Sequence, residues 1–527
     1  MKGRMIVNKV LSAAQAANMI KDGDWVSTSG FQLAAYPEEL AQAVEKRFLD
    51  EGHPQNLTLF SCTQGGNWAG LGNDHFAHEG LLAQVICGHY GSIPKISQLA
   101  IDNKIECYNL PQGTIAAMMR ATITGMPGEL TKVGLNTYID PRLEGGRFNR
   151  CTTKDIVEVE HFRGDEWLFY PAPKLDIGLI RGTIADTNGN LCLKDEICPL
   201  DIALVARAVR ACGGKVIAQV KYVVEAGTLP AAQVDVPGIF VDAVVVCQNP
   251  EENHKQTAAT YYDETLTGRL SVPVASMERT PLNMKKVMAR RAAMELKANS
   301  VINLGIGTPE MISPVVAEEG LLDKVTMTTE NGGVGGIPLG GKDFGAARNM
   351  QAAVPTLDQF DFYTGGGLDV AFLGLAEADK EGNINVSKFG DGLTGCGGFI
   401  NIITGTKKII YMGTFTAGGL KCKVGNGKLE IIQEGKVKKF RQRVGQVSFS
   451  GKYATHTGQD VLYITERAVF KLIEGGLELI ELAPGVDLQK DILDQMEFKP
   501  AVSPNLKTME ACIFNEANMV LENFWAD

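Results

Sequence analysis

The sequence predicts an α/β protein built as two related open α/β domains, and three observations lead there. Strand-like and helix-like apolar periods alternate along the whole chain. The same order of elements and turn residues occurs twice. The 59 glycines in 527 residues follow no collagen-like period, so they mark tight turns and close backbone approaches.

In the first copy, residues 5–20 carry an amphipathic helical pattern interrupted by Asn8, Lys9, Gln15 and Asn18, unlike a signal-peptide core. Asp22-Gly23-Asp24 then turns the chain into a strand over residues 25–30. The second copy has a helical pattern from residue 284, then Ala298-Asn299-Ser300 and a strand over 301–307. Pro37-Glu38-Glu39 and Pro309-Glu310 follow as helix starts, where proline forfeits no hydrogen bond and acids suit the helix dipole. Pro314 leaves the first residue of the second helix open.

Next, a strand over residues 57–60 leads to Gln64-Gly65-Gly66, and one over 325–329 leads to Glu330-Asn331-Gly332-Gly333. A third pair, residues 185–190 and 378–383, shares Ala-Asp and Gly-Asn and reads as hairpin turns. Gln64 and Gly189 are 125 residues apart but Glu330 and Gly382 only 52, so the first half carries about 73 extra residues, including 113–167. The polar stretch 250–281 is the expected connection. The expected division is a domain over 1–250, a linker over 251–283, and a domain over 284–527 that carries Glu330.

Composition narrows the function. Hydrophobic residues at 45% and charged residues at 21% exclude a disordered chain. A net charge of −10 argues against nucleic acid as a partner. Eleven cysteines without a Cys-x-x-Cys pair read as reduced thiols, and no apolar run approaches a membrane span. The expected compartment is the cytoplasm.

Several motifs fall short of a familiar chemistry. Residues 336–342 open like a phosphate loop, but Asp343 stands where Ser or Thr would bind magnesium and Pro338 removes an amide. Gly305-Ile306-Gly307 begins a dinucleotide fingerprint, yet Glu310 replaces the third glycine and opposes a pyrophosphate. His75 and His78, spaced i and i+3 as on one face of a helix, lack the third ligand that zinc needs, and a surface or hydrogen-bonded role is expected for them; no metal site is expected. No Gly-x-Ser-x-Gly elbow is present.

Residues 328–336 hold the most chemistry. A β-branched strand runs into Glu330, and four glycines follow within six residues, leaving room for a large group to reach the carboxylate. The competing reading is a solvated turn. A second cluster, Gly395-Cys396-Gly397-Gly398, offers backbone amides to an oxyanion or is simply a turn.

Glu330-Asn331-Gly332 with its trailing glycines resembles the active-site loop of the family I coenzyme A transferases. Other segments agree in order: Ser29-Gly30-Phe31 with Pro37-Glu38, Leu110-Pro111-Gln112-Gly113-Thr114, residues 303–309 as Asn-Leu-Gly-x-Gly-x-Pro, and Gly395 to Gly398 as Gly-x-Gly-Gly. The resemblance spans nearly the whole chain, with both halves fused. It is closest to the acetate/propionate branch, through Gly365-Gly366-Gly367-Leu368-Asp369 and residues 413–419. Ser29 and Ala35-Tyr36 depart from the family pattern and are expected to reshape the acyl pocket.

The resemblance implies an enzyme that moves CoA between a short-chain acyl-CoA and a free carboxylate through a glutamyl-CoA thioester on Glu330. It implies oxyanion donors at Gly397 or Gly398, and a side-chain hydrogen bond from Gln112. CoA would lie along Gly305, Ile306, Gly307, Thr308 and Pro309, with Asn331 and Gly332 beside it. It further implies acyl-CoA as substrate rather than a tightly bound cofactor, a homo-oligomer (dimer or tetramer), and no membrane partner. A thioesterase using the same Glu330, or a non-catalytic ligand sensor, are the alternatives.

Overall fold

In a computed structural model of the chain we describe residues 8–273 and 279–525. The first sheet comprises β1 (Val10–Leu11), β2 (Trp25–Thr28), β3 (Leu57–Phe60), β4 (Leu82–Cys87), β5 (Glu106–Asn109), β6 (Ile177–Arg181), β7 (Lys215–Val220) and β8 (Ala243–Val246). Its spatial order is β1-β8-β7-β6-β2-β3-β4-β5, parallel throughout. Such strands are covered on both faces and so read as continuous apolar runs; every residue of β3 and β6 is buried.

The second sheet comprises β9 (Ser300–Leu304), β10 (Val325–Thr328), β11 (Gly333–Val334), β12 (Ala352–Ala353), β13 (Val370–Gly374), β14 (Lys408–Met412), β15 (Asp460–Ile464), β16 (Ala468–Ile473), β17 (Gly476–Leu482) and β18 (Ala501–Thr508). They lie in the order β12-β11-β10-β9-β13-β14-β15-β16-β17-β18. Its parallel run β15-β14-β13-β9-β10 repeats the run β8-β7-β6-β2-β3 of the first sheet, strand for strand in chain order.

The duplication extends to single hydrogen bonds. The Asp186 carboxylate accepts the amides of Asn188 and Asn190 at 3.0 and 2.9 Å, and Asp379 accepts those of Glu381 and Asn383, both at 3.0 Å. Each Asp closes the hairpin turn expected for it. The extra residues of the first half hold the helix α2 defined below and a separate antiparallel sheet of Gly128–Thr131, Glu158–Phe162 and Asp165–Pro171.

Helix α1 (Glu38–Glu51) starts where Pro37 predicts, with Glu38 and Glu39 in its first turn. Helix α2 (Gln112–Thr124) follows Pro111. In the second copy Pro309 opens a 3₁₀ turn over Pro309–Met311 that runs into a helix over Ile312–Glu318, with Pro314 tolerated in its first turn.

Two expectations are corrected. The helix over residues 5–20 shrinks to Ala13–Ala17, because Val10 and Leu11 instead pair with Val244 and Val245 at the sheet edge; residues 1–7 lie outside the described residues. The His75 segment is a short 3₁₀ turn rather than a helix: His75 bonds Glu38 and Glu45, and His78 bonds Glu45, the hydrogen-bonded role expected of them. Within residues 251–283, the expected linker, His254, Gln256, Thr257 and Leu266 are buried, while 274–278 lie outside the described residues. Among the described residues no helix is long and apolar enough to cross a membrane.

Candidate active site

Ligands of parallel α/β sheets bind beyond the carboxyl ends of the strands, and here those ends from both sheets share one cavity of ≈180 Å³. From the first sheet come Phe31 and Gln32 after β2, Thr63 and Gln64 after β3, His89 after β4 and Gln112 after β5. From the second come Gly305 and Ile306 after β9, Glu330 after β10, Leu373 and Gly374 at the end of β13, and residues 395–399. Trp68 and Ile306, 41% and 52% exposed, mark its mouth.

Glu330 is thrust into this space by a tight turn. The Gly332 amide bonds the Thr329 carbonyl at 3.0 Å and the Thr329 amide bonds the Gly333 carbonyl at 2.9 Å. Gly332 has φ of +106°, and a Cβ there would stand 1.8 Å from the Val354 carbonyl oxygen, so no side chain fits. The Glu330 carboxylate accepts the side-chain amide of Gln112 (Nε2 to Oε2, 2.5 Å) and the backbone N–H of Gly398. Thr63 donates its hydroxyl to Oε1 of Gln112 at 2.8 Å, which orients the amide.

Burial pushes the Glu330 carboxyl up to about 7, against the Gly398 and Gln112 hydrogen bonds that favour its ionised form. Burial opposed by these two donors leaves the carboxyl titrating near neutrality. Burial likewise presses His89 down to about 4, so the imidazole on the cavity wall is neutral. Gln112→Leu is expected to lower kcat about tenfold, as for loss of one hydrogen bond to a charged group. It should also move the acid limb of the pH–rate profile upward, because the charged form loses a donor; Thr63→Val should shift it less in the same direction. Initial rates across pH check both.

The halves meet on the 395–398 loop. The Gln112 backbone N–H donates to the Gly397 carbonyl at 3.0 Å, the Asn109 side chain accepts the Cys396 backbone N–H at 2.9 Å, and the Asn401 side chain accepts that of Gly113 at 3.0 Å. The Gly397 N–H is already spent on the Gly88 carbonyl at 2.6 Å. Of the two glycines considered as oxyanion donors, Gly398 alone presents its amide to Glu330; Gly397 is corrected to a docking role.

Gly305 and Ile306 line the cavity, whereas Gly307, Thr308 and Pro309 continue away from it. Asn331 is buried against Gly345, its Nδ2 without a partner among the described residues, and Gly332 packs on Val354. Neither lines the cavity. Ser29, Ala35 and Tyr36 are buried one layer behind Phe31 and Gln32: Ser29 bonds the Ala35 carbonyl at 2.8 Å, and Tyr36 packs on Gly65. Arg181, paired with Glu196, donates to the carbonyls of Leu33 and Tyr36 and so holds this loop. Sequence reading missed Thr63, His89, Arg181 and Phe344; for Thr63 and His89 the available signal was their place just past the ends of apolar strands.

A carboxylate held near neutrality among amide donors, where the strand ends of duplicated α/β halves meet, is suited to acyl chemistry. The chain belongs to the coenzyme A transferase family, whose model, described as "Coenzyme A transferase", matches residues 10–247. It is a CoA-transferase that moves CoA between an acyl-CoA and a carboxylate. It is 47% identical over 516 residues to the caffeate CoA-transferase of Acetobacterium woodii, covering 96% of this chain and 98% of that one. It is 42% identical over 511 residues to the acetate CoA-transferase YdiF of Escherichia coli O157:H7, covering 97% and 96%. The crystal structure of the YdiF apoenzyme superposes with a TM-score of 0.92 at 41% identity over 98% of both chains. A thioester complex of YdiF with CoA superposes at 0.91.

Proposed function

We propose that Glu330 is the nucleophile of a ping-pong transfer between short-chain acids of the acetate, propionate, butyrate or acetoacetate type. The carrying observation is its half-buried carboxylate, held by Gln112 and Gly398 in a cavity to which both halves contribute. Ionised Glu330 adds to the thioester carbonyl, the C–S bond breaks, and an acyl-glutamyl anhydride forms with release of CoA thiolate. The thiolate then adds to the glutamyl carbonyl and expels the acid as carboxylate, leaving glutamyl-CoA; an acceptor acid reverses the steps. In the steps centred on the glutamyl carbon, the charge develops on the oxygen already facing Gln112 and Gly398, so these donors act as its oxyanion hole. The solved thioester complex of YdiF with CoA supports the covalent route.

We further infer that the halves 1–250 and 284–527 act as two domains, that no cofactor is tightly bound, and that the enzyme works in the cytoplasm as a homo-oligomer. Initial-rate lines at several acceptor concentrations should be parallel, and a dead-end CoA analogue should compete with acyl-CoA. Intersecting lines would indicate a ternary complex and overturn the covalent route.

A further inference from the structure

The segment that opens like a phosphate loop takes no part in the site chemistry above. Residues 337–348 form a hairpin in which Ile337–Pro338 pairs with Ala347–Arg348, and its tip carries Phe344 onto the wall of the Glu330 cavity. There Phe344 meets Phe31 of the first half, ring centroids 6.0 Å apart. Gly345 packs so closely on Asn331 and Phe31 that a Cβ would stand 2.3 and 3.0 Å from them.

Two clasps hold the hairpin. On one side, the Glu310 carboxylate accepts the amides of Gly307 and Gly341, at the place where a dinucleotide fingerprint would hold a pyrophosphate. On the other, the Asp343 carboxylate accepts the hydroxyls of Thr257 and Thr260 at 2.5 and 3.0 Å. Both threonines belong to the segment that joins the two sheets. Farther along it, Asp263 pairs with Arg348 at 3.3 Å, and the backbone of Val272 exchanges two hydrogen bonds with the Asn349 side chain. The same segment is rooted in the first half, where Gln256 donates to the Asp195 carbonyl and the buried His254 lies 3.6 Å from Glu196.

We propose that the 337–348 hairpin is the cover that keeps water from the acylated Glu330, and that Asp343, gripped by Thr257 and Thr260, is the positioning residue that keeps it seated. The proposal rests on the covalent route above. With the cover loosened, water oxygen adds to the glutamyl carbonyl, the C–S bond breaks, the thiolate takes one of the water's protons and the other is released to solvent. The products are Glu330 carboxylate carrying one water-derived oxygen and free CoA, so the net reaction becomes acyl-CoA hydrolysis.

The experiment compares wild type, Asp343→Ala and the double variant Thr257→Val with Thr260→Val, which keeps side-chain shape should the Asp variant fail to fold. Acyl-CoA is supplied without acceptor in water enriched in the heavy oxygen isotope, and transfer is measured separately with acceptor. The ratio of hydrolysis to transfer should rise on the order of tenfold, the scale set by one hydrogen bond to a charged group. Heavy oxygen should appear in the Glu330 peptide faster than in wild type. Folded variants with the wild-type ratio and labelling rate would overturn the proposal. Adding Glu330→Gln to the Asp343→Ala variant separates the two readings: hydrolysis that persists without the carboxylate refutes the covalent route, whereas its disappearance leaves the cover as the cause.

Discussion

Glu330→Gln is expected to fold and to transfer essentially no CoA, because a neutral amide does not form the anhydride. Wild-type enzyme given acyl-CoA and then borohydride should be inactivated irreversibly, since borohydride reduces a thioester to an alcohol and leaves a carboxylate alone. Peptide mass spectrometry should place that alcohol at residue 330, and the Gln variant should remain unmodified. Undiminished transfer by a Gln variant shown free of deamidation would remove Glu330 from the mechanism. The carboxyl sits at about 7 through burial, so it is protonated as pH falls through that value. The kcat/KM should therefore drop about tenfold for each further unit below it, whereas an ordinary carboxylate would keep activity flat to well below neutrality. The stability sign is opposite. The folded state holds this proton more tightly than the unfolded chain, so the stabilisation present at low pH is lost as pH rises from the ordinary carboxylate range through about 7. Above that range Glu330→Gln should melt no lower than wild type, which differential scanning calorimetry would show.

Gly398→Ala carries the second-largest expected effect. A Cβ at this position would stand 2.5 Å from Oε2 of Glu330 and 2.7 Å from the Phe360 ring, so the methyl group displaces that carboxylate although the N–H remains. A loss of about 10²–10³ in kcat is expected, the scale of removing one oxyanion donor. Gly397→Ala is the internal control. Its φ of +52° makes the substitution cost about 1 kcal/mol of stability, but the nearest atom, Oε1 of Gln112, is 3.9 Å away and the amide already serves Gly88. Its kcat should stay within a few-fold of wild type. Equal kcat for the two folded variants would mean that Gly398 does not face the reacting carboxyl.

The two glycines show where sequence reading stops. Spacing alone left either amide of Gly397 and Gly398 free for an oxyanion, because a Gly-x-Gly-Gly run does not say which N–H is spent on a neighbour. That choice belongs to Gly88, some 300 residues earlier in the chain. The same holds for residues 251–283: the polar stretch reads as a linker, and nothing local says that Thr257 and Thr260 bond Asp343. The helix over residues 5–20 failed because pairing with Val244 and Val245 overrode a local period.

What the sequence determined by itself are features written in short-range order. These are the alternating periods of the α/β fold, the duplicated turns at Asp186 and Asp379, and the glycine-rich turn that follows Glu330. What only the tertiary structure decided is how the two halves meet. Gln112 and Glu330 are separated by 218 residues and come together because the strand ends of both sheets face one cavity. The neutral-range carboxyl, the hydroxyl of Thr63 behind Gln112 and the cover held by Asp343 follow from that meeting. Burial and hydrogen-bond partnership depend on what lies across the interface, which no local pattern encodes.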